Sequence, residues 1–470
     1  MLTAETHWPH PPVAGQTDGD RCFCRHFWTE FSKWKKGTRM ITRPRFKLIL
    51  TALIAICLTF AGGYEGNVAH AADAPTPLLE KGRSVEWWFV FKFNTKAFRE
   101  CAGGATRQCI FGGDVQDYTR SFGQQFVYAS KGTSLKKGTN CLGDTTKDPV
   151  GATFDQVYNG TYHYVIWNDQ FYNDPDITAC RGKTFCGAPW AHSKGILAWD
   201  DDGAGFVMQV STPNWPGAGS KRAPRQNNGN TLGCLTEDGQ KPQDNVLFSQ
   251  HFFSLKLNKE DVLKVLAALQ YAGALTEHDA TATDRDQVIN NGGPAEISQK
   301  VDELGVLSQS SSYTKETLSS GVQLIAKSAL LNVPPWQMVS ALLGGVPLRV
   351  ASWYSVNKIP DTDGQTTPGC WHSALGQPGA VTNVQKGHWG NTQFGLTGGG
   401  SPDRNHAKIG VSTSGRYVVF GDMNQEGALS GPKCNVSQNA RGGLFFVVEN
   451  DVLSRGVRDL LKPLPQRPVR

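Results

Sequence analysis

The stretch HSKGILAWDDDGAGFVMQVSTPN, from His192 to Asn214, contains a pattern that returns later in the chain. It opens with His-x-Lys, continues as an apolar strand, turns at Asp200 to Gly205, and follows a second apolar strand to an Asn. The same succession occurs in HAKIGVSTSGRYVVFGDMN, from His406 to Asn424, with a turn at Ser412 to Gly415. Gly, Asp and Ser between two apolar runs are typical of β-hairpins. The repeat therefore predicts two related halves and an internal pseudo-dimer.

Apolar periodicity around this repeat indicates a mixture of strands and helices. VEWWFVFKF, from Val85 to Phe93, alternates as a core strand does, with Glu86 and Lys92 on the face opposite the aromatic residues. An amphipathic helix is predicted after the capping residue Asn258, through Leu269. The remaining predictions are helices over Lys315 to Leu331 and Val452 to Leu461, and a surface loop over Thr281 to Gly293. Strands and helices are mixed throughout, so the predicted class is α/β.

The N-terminal residues have the three parts of a secretory signal. Arg43, Arg45 and Lys47 precede an apolar run of about 14 residues, and Ala69-His70-Ala71 follows it. The run is short of the roughly 20 residues that span a bilayer, so cleavage before Ala72 is favoured over a permanent anchor. We therefore predict a segment at 1–39 that arises from an upstream start codon, a signal peptide at 40–71, a first half at 72–290 and a second half at 291–470.

The overall charge does not by itself predict a nucleic-acid partner. The 470 residues carry a formal net charge of +6, but nine Lys or Arg and five Asp or Glu precede residue 72, which leaves 38 basic and 36 acidic residues. A small cluster of Lys221, Arg222 and Arg225 is more typical of a solvated loop than of a DNA-backbone contact. Any nucleic-acid function must therefore rest on a local site.

The cysteine count agrees with export. Eight cysteines remain after residue 72, an even number that predicts up to four disulfides in an oxidising compartment. Cys101/Cys109 and Cys180/Cys186 are the pairs nearest in sequence, although spacing alone leaves the connectivity open. No CxxC or HExxH sequence occurs in this part of the chain, so no metal and no cofactor are expected.

Two His-x-Lys sequences supply the groups that phosphodiester hydrolysis requires. Residues two apart in a strand share a face, so His192 and Lys194 point together, as do His406 and Lys408. One imidazole can attack phosphorus while the other protonates the leaving oxygen, and the ammonium groups stabilise the phosphoryl oxygens. Amide donors of Asn214 and Asn424 are expected to bind the same oxygens, and two imidazoles in opposite protonation states predict an optimum on the acid side of neutrality.

These sequences resemble the deoxyribonuclease II family, whose active site is similar to that of phospholipase D-like enzymes. The resemblance extends from VEWWFVFKFN through WNDQ at Trp167 and STPNWP at Ser211 to NHAKIGV, GDMN and RGG at Arg441 to Gly443. It implies a phospholipase D-like pseudo-dimer, in which each half has a mixed central sheet flanked by helices and the active site lies between the halves. It also implies a secreted, metal-independent endonuclease with double-stranded DNA as substrate, which leaves 3′-phosphate ends.

The residues carried over from this resemblance are His192, Lys194, His406 and Lys408 as the catalytic set, with Asn214 and Asn424 as phosphate-binding residues. Two other functions are left open: a phosphodiesterase for lipid head groups, and a catalytically inactive DNA-binding module. The identity of the attacking histidine and the formation of a homodimer are also left open, and we expect no membrane anchor in the processed chain.

Overall fold

A computed structural model describes the chain in the ranges 74–99, 101, 110–111, 124–171, 177–180, 185–219, 230–232, 244–277, 287–354, 358–399 and 403–465. The segments predicted at 1–39 and 40–71 and the basic cluster at 221–225 lie outside these residues. Within the described ranges, no helix is both long enough and apolar enough to cross a membrane.

Strands dominate the described part of the chain, and helices are few. The strands are β1 Leu78–Glu80, β2 Arg83–Ser84, β3 Trp87–Lys92, β4 Phe126–Ser130, β5 Lys136–Lys137, β6 His163–Asn168, β7 Lys194–Trp199, β8 Gly205–Val210, β9 Gln250–Leu257, β10 Ile289–Asn290, β11 Tyr313–Thr317, β12 Gln323–Lys327, β13 Leu348–Ala351, β14 Val381–Asn383, β15 Lys386–Trp389, β16 Thr392–Gly395, β17 Ile409–Ser412, β18 Tyr417–Gly421 and β19 Gly443–Glu449. The α-helices are α1 Pro149–Tyr158, α2 Asp244–Leu247, α3 Lys259–Ala272, α4 Ala295–Asp302, α5 Pro335–Leu342 and α6 Asp451–Leu460. The predicted α/β class is therefore confirmed.

The two large sheets contain five corresponding strands in the same order. The eight-stranded sheet has the order β10-β6-β7-β8-β9-β3-β4-β5, and the seven-stranded sheet has the order β11-β12-β19-β18-β17-β13-β14. The run β6-β7-β8-β9-β3 matches the run β13-β17-β18-β19-β12, and all neighbours within both runs are antiparallel. The two predicted hairpins, β7–β8 and β17–β18, are thus confirmed. Each His-x-Lys sequence leads into the corresponding strand of its sheet.

An aromatic layer joins the two sheets face to face. Phe420 of β18 stacks on Phe89 of β3 and on Phe253 of β9, with ring centroids 4.7 and 4.6 Å apart. These three side chains have no exposed surface. Because each buried aromatic removes a large apolar area from water, this layer fixes the two sheets against each other.

The strand predicted from Val85 to Phe93 is confirmed as β3, and both of its faces are buried. Lys92 is fully buried, and Trp88 on the same face donates its Nε1–H to Thr153 Oγ1 of α1 at 3.2 Å. β3 lies between β4 and β9 inside the sheet, and α1 contacts the face that carries Trp88 and Lys92.

Two of the three predicted helices are confirmed. Asn258 caps α3 by accepting from the Asp261 N–H, and α6 occupies the predicted C-terminal position. The helix predicted over Lys315 to Leu331 is wrong, because this segment forms the hairpin β11–β12 and a short 3₁₀-helix. Gly321 in the intervening turn has φ +83°, a conformation that suits a turn and interrupts a helix.

The predicted loop at Thr281 to Gly293 is described only from residue 287. The loop prediction is wrong at residues 289 and 290, which form β10, because Ile289 pairs with Val165 of β6.

Three disulfides link described cysteines: Cys180–Cys186, Cys101–Cys141 and Cys370–Cys434. Of the two pairs nearest in sequence, Cys180/Cys186 is bonded. Cys101 is instead bonded to Cys141, 40 positions further along the chain, with a Cα separation of 5.3 Å. Cys109 and Cys234 lie outside the described residues.

The aromatic layer predicts that Phe420→Ala destabilises the protein by about 3–5 kcal/mol, the usual cost of truncating a fully buried Phe. The free energy of unfolding from urea denaturation measures this. Leu330→Ala, at a side chain that is 44% exposed, serves as the control and should change the stability little. An equal effect of the two substitutions would contradict the role of the layer.

Candidate active site

A cleft of about 640 Å³ lies where the segments leading into β7 and β17 meet. His192 enters it from the eight-stranded sheet, and His406 and Lys408 enter it from the seven-stranded sheet. Asn424 and Arg441 also line it. The cleft therefore combines residues from both occurrences of the sequence repeat.

His192 is held in one orientation by the opposite sheet. Its backbone N–H donates to the Gly442 carbonyl at 2.9 Å, and its Nδ1 lies 2.8 Å from the Asp422 carbonyl oxygen. A carbonyl only accepts, so Nδ1 carries the proton and the Nε2 lone pair remains for chemistry. Burial and then the charge of Lys194 hold the pKa of His192 well below its usual value. His192 is therefore neutral near pH 7, with Nε2 as a base or nucleophile.

Lys194 is bonded to a carboxylate that also binds a residue of the second sheet. Its Nζ donates to Asp169 Oδ1, and Arg441 Nη2 donates to Asp169 Oδ2 at 2.6 Å. The Arg441 guanidinium also donates to the carbonyls of Trp190, Ala191 and Cys186. Burial lowers the pKa of Lys194, an effect that the Asp169 charge opposes. This buried network ties the segment before His192 to the segment before β19.

His406 lies in an aromatic setting. Its ring stacks on Phe248 with centroids 5.1 Å apart and meets Trp353 edge-on at 6.2 Å. Its backbone N–H donates to the Ser249 carbonyl at 2.8 Å. Burial, followed by the charge of Lys408, lowers the pKa of His406 well below the usual range. Phe248 thus packs on the ring of a histidine that lines the cleft.

The predicted asparagines occupy different places. Asn424 lines the cleft, and its Nδ2 donates to Glu426 Oε2 at 3.3 Å. Asn214 is buried with φ +50°, and its backbone N–H donates to the carbonyl of Gln170, itself a lining residue. Of the six predicted residues, four contribute to the cleft wall: His192, His406, Lys408 and Asn424. Lys194 and Asn214 are buried beside it.

Three residues of this region, His251, Asp169 and Asp422, have no role assigned from the sequence. His251 Nδ1 accepts the backbone N–H of Lys408 at 3.1 Å, a contact between residues 157 positions apart. Asp169 and Asp422 are buried, and burial raises the pKa of Asp422 to about 7. The contact of His251 with Lys408 could not be predicted, because no local spacing encodes a contact made across two sheets. Asp169 lies within the WNDQ segment and Asp422 within GDMN. These two segments carried the family resemblance, so they could have pointed to both aspartates.

Among the described residues, no group of three or more His, Cys, Asp or Glu side chains is arranged to hold a metal ion. After burial, the charges of Lys194, Arg441 and Lys408 lower the pKa of His192, so three cationic side chains act on this one ring. A negatively charged phosphoryl group in the cleft would meet that combined field.

Comparison with known proteins places these residues in a family. The chain matches the model of the deoxyribonuclease II family over residues 76–466. The match includes both sheets, both His-x-Lys sequences and the whole cleft wall. The search of curated proteins found no match.

The shared carboxylate predicts a large effect of Asp169→Asn. This change keeps the shape but leaves Lys194 and Arg441 without their counter-charge, which should destabilise the fold by about 3–5 kcal/mol. Urea denaturation at neutral pH is the measurement. Asp201→Asn, at a carboxylate that is 93% exposed beside His163, is the control and should have little effect. Unchanged stability of Asp169→Asn would show that the network is not needed.

Proposed function

Because the chain belongs to the deoxyribonuclease II family of DNA-hydrolysing nucleases, we propose that it cleaves double-stranded DNA without a metal ion, through a covalent phosphohistidine, and leaves 3′-phosphate ends. The observation that carries this proposal is the convergence of His192 and His406 from two different sheets on one cleft.

The first step uses the fixed tautomer of His192. Its Nε2 attacks phosphorus as the bond from phosphorus to the 5′-oxygen breaks, and protonated His406 donates its proton to that leaving oxygen. The strand that ends in the 3′-phosphoryl group is then attached to His192 as a phosphoramidate. The Nδ1–H bond to the Asp422 carbonyl supports attack by Nε2, because it stabilises the positive charge that the ring gains.

The second step returns both histidines to their starting states. Neutral His406 removes a proton from water, the water oxygen attacks phosphorus, and the bond from phosphorus to Nε2 breaks. The product is a 3′-phosphate. Lys408 and Asn424 contribute donors to the non-bridging oxygens from the cleft wall. Lys194 and Arg441 contribute positive charge from behind it.

The two halves are proposed to form a phospholipase D-like pseudo-dimer, divided at 72–290 and 291–470. The matching strand runs of the two sheets support this arrangement. We also propose that the protein is exported after removal of residues 40–71, in keeping with the three disulfides among its described cysteines. A homodimer stays a prediction.

His192→Ala and His406→Ala are each expected to lower plasmid nicking by at least about 10³-fold, since neither the nucleophile nor the acid can be replaced. His388→Ala is the matched control, because His388 bonds the Lys462 carbonyl away from the cleft. Circular dichroism checks that all three variants fold. Near-normal nicking by either cleft variant would rule out the two-histidine mechanism. A parallel assay on phospholipid vesicles separates DNA cleavage from lipid head-group hydrolysis.

The lowered pKa values of both histidines predict an acid optimum. At pH 7 both rings are neutral, so the form with His406 protonated and His192 neutral becomes more abundant as the pH falls below the usual histidine value. Activity should therefore rise as the pH falls below 6.5, and decline once His192 is protonated too. Initial rates of plasmid nicking in EDTA across a pH series measure this. A rate that rises steadily towards pH 8, or a strict Mg²⁺ requirement, would contradict it.

A further inference from the structure

Two fully buried lysines end corresponding strands of the two sheets. Lys92 is the last residue of β3, and Lys327 is the last residue of β12. Lys92 pairs with Gln250, the first residue of β9, and Lys327 pairs with Gly443, the first residue of β19. The two side chains therefore occupy equivalent positions.

Each ammonium group binds the segment that leads into the neighbouring strand. Lys92 Nζ donates to the carbonyls of Phe93 and Val246 at 3.2 and 3.1 Å. Lys327 Nζ donates to those of Ser328 and Asn439 at 3.1 and 2.7 Å, and to that of Arg441 at 2.8 Å. Each lysine thus donates to the carbonyl of the residue that follows it in the chain. Each also donates to a carbonyl four residues before the neighbouring strand begins.

Packing alone does not explain a charged group at these positions. Burial lowers the pKa of Lys327 to about 7, which reflects the cost of holding an ammonium group away from water. A Met side chain of similar length would fill the same space without that cost. What Lys supplies and Met does not is a set of donors that fixes the neighbouring carbonyls.

The segments fixed in this way form the wall around the histidine of the other sheet. The segment held by Lys92 leads to Ser249, whose carbonyl accepts from the His406 N–H, and includes Phe248, which stacks on the His406 ring. The segment held by Lys327 leads to Gly442, whose carbonyl accepts from the His192 N–H. The same segment carries Arg441, which binds Asp169.

We propose that Lys92 and Lys327 are positioning residues that act across the two sheets, with Lys92 placing His406 and Lys327 placing His192. The inference rests on the proposed function for the roles of the two histidines. It adds that each histidine depends on a buried lysine of the opposite sheet.

The variants that test this are Lys92→Met and Lys327→Met. A misplacement of about 1 Å can lower a rate by about 10²-fold, so DNA cleavage should fall by roughly that factor in both. Val90→Ala and Ile325→Val change buried residues on the same faces of the same strands and should cut DNA at near wild-type rates. If either Met variant does not fold, the corresponding Lys→Gln variant takes its place.

A chromogenic nitrophenyl phosphodiester separates the two lysines. Nitrophenolate leaves without a proton, so its initial burst requires attack by His192 but no acid. Lys327→Met should slow the burst by roughly the factor seen with DNA. Lys92→Met should slow DNA cleavage yet leave the burst rate within about threefold of wild type, because only the acid is displaced. Equal effects of the two variants on both substrates, or no effect of either, would overturn the inference.

A second readout does not depend on activity. In ¹H–¹⁵N spectra of the imidazole groups, Lys92→Met should shift the His406 signals and Lys327→Met the His192 signals, with the other histidine unmoved in each case. The positioning roles would be overturned if neither histidine's signals moved, or if Lys92→Met shifted His192 and Lys327→Met shifted His406. This result would count even if the protein cut no DNA. The wild-type protein could fail to cut DNA in EDTA while Lys92→Met still shifts only the His406 signals and Lys327→Met only the His192 signals. In that case the proposed function fails and the positioning contacts stand.

Discussion

The face-to-face packing of two sheets through Phe89, Phe253 and Phe420 is the constraint on which the rest of the structure depends. Each sheet has a corresponding strand led by His-x-Lys, and neither sheet alone contains a complete site. Only when the aromatic layer sets the sheets together do the segments before β7 and β17 meet at one cleft. The hydrophobic layer thus determines the spacing of polar groups that lie outside it.

Near the cleft, the sheets are joined by hydrogen bonds and charge. His192 bonds two carbonyls from the seven-stranded sheet, and His406 bonds one that precedes β9. Asp169 lies between Lys194 and Arg441, so one carboxylate offsets two buried cations from the two sheets. A buried charge without a partner is costly, and this shared carboxylate makes the sheets interdependent. Burial, and after it the cations that remain around the histidines, lowers the pKa values of both rings. The same positive charge suits a phosphodiester substrate.

The sequence predicted what is local and missed what depends on contacts between distant segments. The two hairpins, α3 and its Asn258 cap were predictable, because turn residues, apolar alternation and capping are encoded within a few positions. The convergence of the two His-x-Lys segments on one cleft was predictable because the pattern occurs twice, whereas the burial of Lys194 and Asn214 beside the cleft was not. The segment at 315–331 was misread as helical, since its apolar residues also fit strands that pair with β19. The complete burial of Lys92 and His251 was not predictable, because it depends on elements far away in the chain.

We propose that His192, held by the opposite sheet, is the group that attacks phosphorus. Trapping the intermediate tests this most directly. Protein mixed with a short DNA duplex in EDTA would be quenched in alkali, where phosphoramidates persist, and then digested and examined by peptide mass spectrometry. We expect a nucleotide adduct on the peptide that contains His192. DNA cleavage without any adduct, or an adduct on His406 instead, would contradict it.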